Sequence, residues 1–323
     1  MADSSWEGLC LFLYEQNSSA AYSNEPPWKA PAVLADQIRE SGPAAYQFFP
    51  EHHFFARVYR PSAVWAALLN RQPTFLCSPE WTVVPWEHLP RTPLDDLLDI
   101  VVLLPSTFSR ADRIITSDPG CCARQLKAKD LLSNCVNIET QFEIWYSMVR
   151  QSVDEQQSPL FWSANTMASV SQITFGDSFE FQTPLMGLVH VYYWSVLISF
   201  HQCIYALLQI VFESDSGSSS GPSMPPEIPA GLDPRKYQLG PIKLLAANVR
   251  RSLDFTLRTT WQPDLLAAPF WIINEFYNGL RHFGDGELEC LWCANYKGRL
   301  EKKSTEMSAW LQEKKWTEIR QFG

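Results

Sequence analysis

The feature that most constrains the fold is the stretch 181–212, which contains no Asp, Glu, Lys or Arg. Its length would allow it to span a membrane, since about 20 apolar residues suffice. However, no basic clusters flank the stretch to orient a span. Four polar side chains within it would also be costly in lipid: His190, His201, Gln202 and Gln209. We therefore predict a helix over 184–213 that is buried on all sides inside the protein.

Most of the remaining chain also carries apolar residues at helical spacing, and few stretches alternate as strands do. Thr92 followed by Pro93 marks a helix start. Pro105 is expected to kink or split the helical run 94–115. The mixed polar and aromatic stretch 158–181 is interpreted as a loop. The sequence thus predicts an all-α bundle of about ten helices around a central apolar helix.

Two polar segments divide the chain. Residues 1–50 are predicted to form a loosely ordered N-terminal arm, and residues 51–323 a single all-α domain. A Ser-, Gly- and Pro-rich linker loop over 214–238 interrupts this domain. Within the linker, Gly217-Ser218-Ser219-Ser220-Gly221 has the spacing of a nucleophile elbow. That motif works on a strand-to-helix turn, and no strand precedes it here, so we expect no catalytic role for Ser219.

Charge and cysteine content exclude several classes of protein. The net charge is −9 and the pI is about 5.2, without the concentrated basic patch that a DNA-binding domain usually carries. The first sixteen residues lack the features of a secretory signal. The eight cysteines show no disulfide-like framework, which favours a reducing compartment. We therefore expect the cytoplasm or the nucleus, with neither direct nucleic-acid binding nor a membrane.

The apolar helix carries the more interesting pattern of polar groups. His190, Trp194, Leu197 and His201 share one stripe, because eleven residues are close to three helical turns. Tyr193 flanks this stripe. Two imidazoles on an aromatic wall could hold the carbonyl or hydroxyl of a ligand, with His190 also able to move a proton. The alternative interpretation is a packed core stripe with hydrogen-bonded histidines.

A second candidate wall lies in the segment 261–277. Trp271, Glu275 and Asn278 share one helical face, and an adjoining face carries Phe270, Asn274 and Tyr277. We predict Trp271 and Asn274 as ligand contacts. Glu275 is a candidate acid, since a carboxylate among aromatic rings can have a raised pKa. The alternative is a solvated carboxylate at a rim.

The pair Cys290 and Cys293 has the C-x-x-C spacing of metal and redox sites. A structural zinc site needs four ligands, usually in two pairs, and no second pair exists in the chain. A redox pair of the thioredoxin type needs a βαβ context, which is missing. We therefore interpret both thiols as small groups that pack one helical face. The chain also lacks phosphate-binding and zinc-protease motifs, so we expect neither a metal nor a cofactor.

Several segments together resemble a known family. They are QPTFLCSPEWTVVPWEHLPRTPLDDLLDIVVLLPSTFSRAD (72–112), SPLFW (158–162), VRRSLDFTLR (249–258), GELECLWC (286–293) and KKWTEIRQFG (314–323). Their order and spacing are similar to the C-terminal regulatory region of fungal zinc-binuclear-cluster transcription factors. The resemblance implies an all-α bundle around a central apolar helix, and a region that receives effectors or contacts partners. The family's six-cysteine DNA-binding module is missing, because the first fifty residues hold only Cys10.

Three functions are compatible with this resemblance. The first is a regulatory protein of specialised metabolism that binds an apolar small molecule or a protein partner without reading DNA itself. The second is an enzyme on the same scaffold, a cofactor-free cyclase of the Diels-Alderase type. It would position a terpenoid or polyketide in an aromatic pocket. The third is a fragment of a longer factor whose zinc cluster has been removed.

Overall fold

The computed structural model describes residues 32–118, 122–154, 159–165, 177–213 and 228–313. These residues are overwhelmingly helical, which confirms the all-α prediction. The first helices run in this order: α1 Ala32–Ser41, α2 Glu51–Phe54, α3 Arg60–Asn70, α4 Pro79–Val83, α5 Pro93–Val101, α6 Leu104–Ile115 and α7 Cys122–Asp154. The remaining elements are β1 Phe161–Asn165, β2 Asp177–Phe181, α8 Pro184–Phe212, α9 Leu239–Thr259, α10 Ala267–Arg281 and α11 Glu287–Glu313.

The helix boundaries at α5 and α6 follow from local sequence. α5 begins at Pro93, and the carboxylate of Asp95 accepts the backbone N–H of Thr92 at 2.8 Å. A side chain three residues into a helix thus satisfies a backbone donor at its start. The helical run then breaks between Val101 and Leu104, so that Pro105 falls in the first turn of α6. The predicted helix start and the predicted split are both confirmed.

The described chain forms two compact units. The larger unit contains residues 32–160 and 189–248, and the smaller unit contains 161–188 and 249–313. α8 and α9 contribute residues to both, with the boundaries after Leu188 and after Asn248. The single domain that the sequence predicts over 51–323 stays a prediction.

The apolar helix α8 is mostly buried, as predicted, but not on all sides, because its C-terminal half exposes Tyr205 and Phe212 at 44% and 45%. Val189, Ile198, Phe200 and Leu207 have no exposed surface. Among the described residues, α8 is the helix that is long and apolar enough to cross a membrane by length and composition alone. In its most apolar window, 67% of the residues are buried inside the protein. Burial of this helix therefore accounts for its missing charges.

Buried charge joins α3 to α5 in the larger unit. The guanidinium groups of Arg60 and Arg91 lie 4.6 Å and 4.8 Å from the ring centre of Trp86. Both arginines also bind the carboxylate of Asp99. Arg60 is fully buried, so its charge needs these partners. The cation–π contacts and ion pairs together fix the proline-rich segment 84–93, which has little regular structure of its own.

A two-stranded hairpin belongs to the smaller unit, and the prediction of a loop over 158–181 is wrong at its ends. β1 and β2 pair antiparallel, with Phe161 opposite Phe181. On β2, Asp177 binds Arg251 of α9 at 2.7 Å, and Glu180 binds Arg258 at 2.7 and 2.8 Å. The hairpin is therefore attached to α9 by two ion pairs. Residues 166–176, between the strands, lie outside the described residues.

Two further boundaries need correction. The predicted N-terminal arm over 1–50 is too long, because α1 already begins at Ala32 and is followed by a 3-10 turn at Pro43–Tyr46. The predicted linker over 214–238 is also too long, because Pro234–Tyr237 forms a 3-10 turn and the side chain of Tyr237 is buried. Residues 1–31 and 214–227, including Ser219, lie outside the described residues.

Candidate functional site

The candidate site lies where α7 faces α8 in the larger unit. On α7, Trp145 and Tyr146 follow Phe142 by three and four residues, so the three side chains project from one face of the helix. Successive contacts between the two helices move to lower residue numbers on α7 and to higher residue numbers on α8. The helices are therefore antiparallel. The contacting pairs are Tyr146 with His190, Phe142 with Phe200, and Glu139 with His201.

The most accessible part of this face is a pair of stacked tyrosines. The rings of Tyr146 and Tyr193 are nearly parallel, with centroids 5.0 Å apart and an angle of 10°. Both side chains are partly buried, and Trp145 closes one side at 5.1 Å from Tyr193. Burial raises the pKa of Tyr193 and of Tyr146, so both hydroxyls stay protonated at neutral pH. The pair places two hydroxyl donors beside partly buried aromatic rings.

His190 and Trp194 lie deeper in the same aromatic cluster. Their ring centres are 5.2 Å apart, and the ring of Tyr146 meets His190 edge-on at 6.2 Å. His190 has no exposed surface, and Trp194 is 4% exposed. The structure thus brings three predicted ligand contacts, His190, Tyr193 and Trp194, into one cluster. Of these, only Tyr193 is partly accessible, whereas the two others sit behind it.

His201 belongs to a separate buried polar cluster built on Glu139 of α7. Its Nε2 lies 3.2 Å from Glu139 Oε1. Lys236 Nζ lies 2.8 Å from the same oxygen, and the hydroxyl of Tyr237 donates to Glu139 Oε2. Lys236 also contacts the exposed Glu143 at 2.6 Å. The polar cluster therefore fastens the segment after residue 231 to α7 and α8.

The ionisation of Glu139 shows what this polar cluster can do chemically. Burial alone would raise its pKa, but the contacts from His201, Lys236 and Tyr237 outweigh that effect and lower the pKa to about 2. A carboxylate with such a pKa is a weak base and stays ionised at neutral pH. The polar cluster is therefore suited to holding segments together, and much less suited to moving protons.

The second predicted wall lies in the smaller unit, on α10. Phe270 and Tyr277 are buried, whereas Trp271 is 39% exposed and Glu275 is exposed. Asn274 is partly buried. The carboxylate of Glu275 thus lacks the apolar surroundings that the prediction of an acid required. The alternative of a solvated carboxylate describes the placement of Glu275.

The cysteines behave as packing groups. Cys293 is 1% exposed on the inner face of α11, and its pKa is raised to about 12, chiefly by burial. Cys290 is partly buried, with its Sγ 3.6 Å from Asn278 Oδ1. Both lie on one helix, as their spacing predicts. Over the ranges that the structure describes, no group of three or more His, Cys, Asp or Glu side chains is placed to hold a metal ion.

Sequence reasoning missed Glu139, Tyr146 and Tyr237, which complete the two clusters. Glu139 and Tyr146 lie three residues before and four residues after Phe142 on α7, so the helical period could have included them. No sequence pattern pointed to Tyr237, because it lies in the segment 214–238 that the sequence predicts to be a linker. Comparison with known proteins found no matching family model, no matching curated protein and no matching solved structure.

Proposed function

We propose that this chain is a regulatory protein of the fungal zinc-binuclear-cluster transcription factor type, acting in specialised metabolism from the cytoplasm or the nucleus. It acts without a DNA-binding zinc cluster in its 323 residues, by binding an apolar small molecule or a protein partner. The family resemblance implies an all-α frame around an apolar helix, and the frame observed is of that kind. The proposal concerns a binding function and needs no cofactor.

The observation that carries the proposal is the stacked pair Tyr146 and Tyr193 on the α7–α8 face. Aromatic rings with protonated hydroxyls bind apolar molecules that carry a carbonyl or hydroxyl, since the faces bury carbon and the hydroxyls donate. A terpenoid or polyketide has this chemistry. The deeper rings of His190 and Trp194 form the floor behind the pair.

A cyclase that works by proton transfer has weaker support, whereas a step of the Diels-Alder type transfers no proton and needs only a pocket that positions the substrate. A proton-transfer step needs a group whose pKa lies near the working pH. Glu139 is held far below that range, at about 2, and Glu275 lies in solvent. Binding, in contrast, needs only the aromatic surface that the structure provides.

The test is a titration with Nile red, an uncharged apolar dye, followed by its fluorescence. The wild-type protein should bind the dye, and Tyr193→Ala should weaken binding about fivefold, since a lost aromatic contact is worth roughly 1 kcal/mol. Tyr205→Ala is the matched control, because Tyr205 lies on the same helix and is 44% exposed. Thermal unfolding by circular dichroism checks that each variant is folded.

An equal affinity of wild type and Tyr193→Ala for the dye would contradict the proposed site. The regulatory part has its own test in the fungus. Deleting the gene should change the transcript levels of neighbouring biosynthetic genes. Loss of the product with unchanged transcripts would instead favour the enzyme.

A further inference from the structure

The turn between α10 and α11 exposes the most accessible large apolar side chain of the described residues. Phe283 is 86% exposed, and on α11 Leu288 and Leu291 are 60% and 54% exposed. Leu288 and Leu291 are three residues apart, so they share a helical face. We call Phe283, Leu288 and Leu291 the turn patch. Single exposed apolar residues are ordinary, but three within nine residues at one turn form a patch that needs an explanation.

The turn patch lies outside the core of its own unit. On the inner face of α11, Trp292, Cys293 and Tyr296 are 6%, 1% and 1% exposed. The core contacts of α11 are thus made by that face, and the rings of Trp292 and Tyr296 stack at 5.1 Å within it. The two leucines on the outer face contribute little to folding. Their presence is therefore not explained by the packing of α11.

The backbone of the turn is tightly fixed. The carbonyl of Leu280 accepts the N–H groups of Phe283 at 2.9 Å and of Asp285 at 3.3 Å. Gly284 and Gly286 have φ of 73° and 79°, a region that favours glycine. A Cβ at Gly286 would also lie 3.2 Å from the Tyr277 carbonyl oxygen. Phe283 is therefore presented from a rigid turn, which lowers the entropy lost when a partner binds it.

Acidic side chains surround the turn patch. Asp285, Glu287 and Glu289 lie within its span of the chain, next to the cation Arg281, and Arg250 of α9 interacts with Glu289. Glu287 and Asp285 are exposed, and Glu289 is partly buried. The excess of negative charge agrees with the net charge of −9 of the whole chain. A ligand for this surface must therefore combine apolar side chains with positive charge.

We infer that the turn patch is the docking surface for a basic amphipathic helix of a protein partner. Leucine-like side chains of that helix cover Phe283, Leu288 and Leu291, and its flanking lysines or arginines pair with the acidic rim. A second copy of this chain does not suit the surface, because two acidic rims would face each other. Nucleic acid is repelled for the same reason. The inference rests on the proposed regulatory function and names the chemistry of its protein partner.

The experiment measures the fluorescence anisotropy of a labelled peptide of about 14 leucine and lysine residues, long enough to form an amphipathic helix. A peptide with glutamate in place of each lysine is the charge control. Wild-type protein should bind the lysine peptide at least about tenfold more tightly than the glutamate peptide, and added salt should weaken the binding. Phe283→Ser should lower the affinity about tenfold, and Leu288→Ser by a smaller factor.

Trp261→Ser is the matched variant. Trp261 is 76% exposed in the same unit but precedes α10, whereas Phe283 follows it, so the two lie at opposite ends of a helix about 22 Å long. Its affinity for the lysine peptide should stay at the wild-type value. Nile red binding to Phe283→Ser should also be unchanged, so a failed peptide test with intact dye binding counts against the partner alone.

Three results would overturn the inference. The first is the absence of lysine-peptide binding by the wild-type protein. The second is an equal loss of affinity in Phe283→Ser and Trp261→Ser, which would indicate nonspecific adsorption. The third is a wild-type dimer in light scattering that Phe283→Ser converts to monomer, which would assign the surface to a second copy.

Discussion

Glu139 on α7 is buried and Asp264 in the 3-10 turn before α10 is partly buried, and their pKa values move in opposite directions. Burial raises the pKa of Asp264 from 3.8 to about 6, and the hydroxyl of Ser304 at 3.3 Å is its one hydrogen-bond partner in the described chain. The pKa of Glu139 is lowered to about 2 despite its burial, because three side chains contact it.

Burial alone therefore does not decide the charge state of a carboxylate. The number and charge of its partners decide whether the ionised form is favoured. In the larger unit the ionised carboxylate of Glu139 contacts the side chains of Lys236, Tyr237 and His201. In the smaller unit Asp264 has one neutral partner and gains a proton easily. The two units should therefore respond in opposite ways to acid.

The largest effect is expected from Glu139→Ala in the larger unit. Removing the carboxylate leaves the buried hydroxyl of Tyr237 without its acceptor and breaks the ion pair with Lys236, which should cost about 3 kcal/mol of unfolding free energy. Glu143→Ala is the control, because Glu143 also binds Lys236 but its side chain is 61% exposed. It should cost less than about 1 kcal/mol in urea unfolding. Equal losses would refute the special role of Glu139.

Asp264→Asn should stabilise the protein at neutral pH. Because the folded pKa of about 6 exceeds the ordinary value of 3.8, this group contributes stability below pH 3.8 that is lost as the pH rises through 6. The neutral amide avoids that loss, so we expect a gain of about 2 kcal/mol at pH 7.5 and none at pH 4. Asp36→Asn, at an exposed carboxylate, should change stability by less than about 0.5 kcal/mol. A gain independent of pH would contradict the assignment.

The smallest effect is expected from Tyr237→Phe, which removes one partner of Glu139 and keeps the buried ring. Loss of a hydrogen bond to a charged group should cost about 1.5 kcal/mol. The pKa of Glu139 should also rise toward its ordinary value of 4.5. Stability that Glu139 contributes is complete above pH 4.5 and lost as the pH falls toward 2, so in the variant the total loss should be smaller and should be complete at a higher pH. An acid unfolding curve that is unchanged would be evidence against this linkage.

Local sequence predicted the helices well and the strands poorly. Pro93 and Pro105 set helix boundaries through their own backbone geometry, so their effects could be predicted without knowing the fold. The strands depend on the pairing of Phe161 with Phe181, twenty positions apart, which no local pattern specifies.

The candidate site was predictable only in part. His190 and His201 lie on one stripe of α8, as the helical repeat predicts, but their neighbours place them in different clusters. Tyr237 reaches Glu139 across 98 residues of chain, and such a contact is set by the tertiary fold alone. The neighbours of Glu275 in the sequence are largely aromatic, yet its side chain is exposed. An aromatic-rich sequence context therefore did not produce an apolar environment.

The chain on either side of residues 214–227 is fastened to the same helix. Glu213 binds Arg124 near the start of α7, and Lys236 binds Glu139 on the same helix, about 22 Å further along its axis. The end points of the intervening segment are thus determined by α7 and not by the segment. Over evolutionary time its length and composition can drift without moving the helices. The same property makes it a suitable position for inserting a reporter domain.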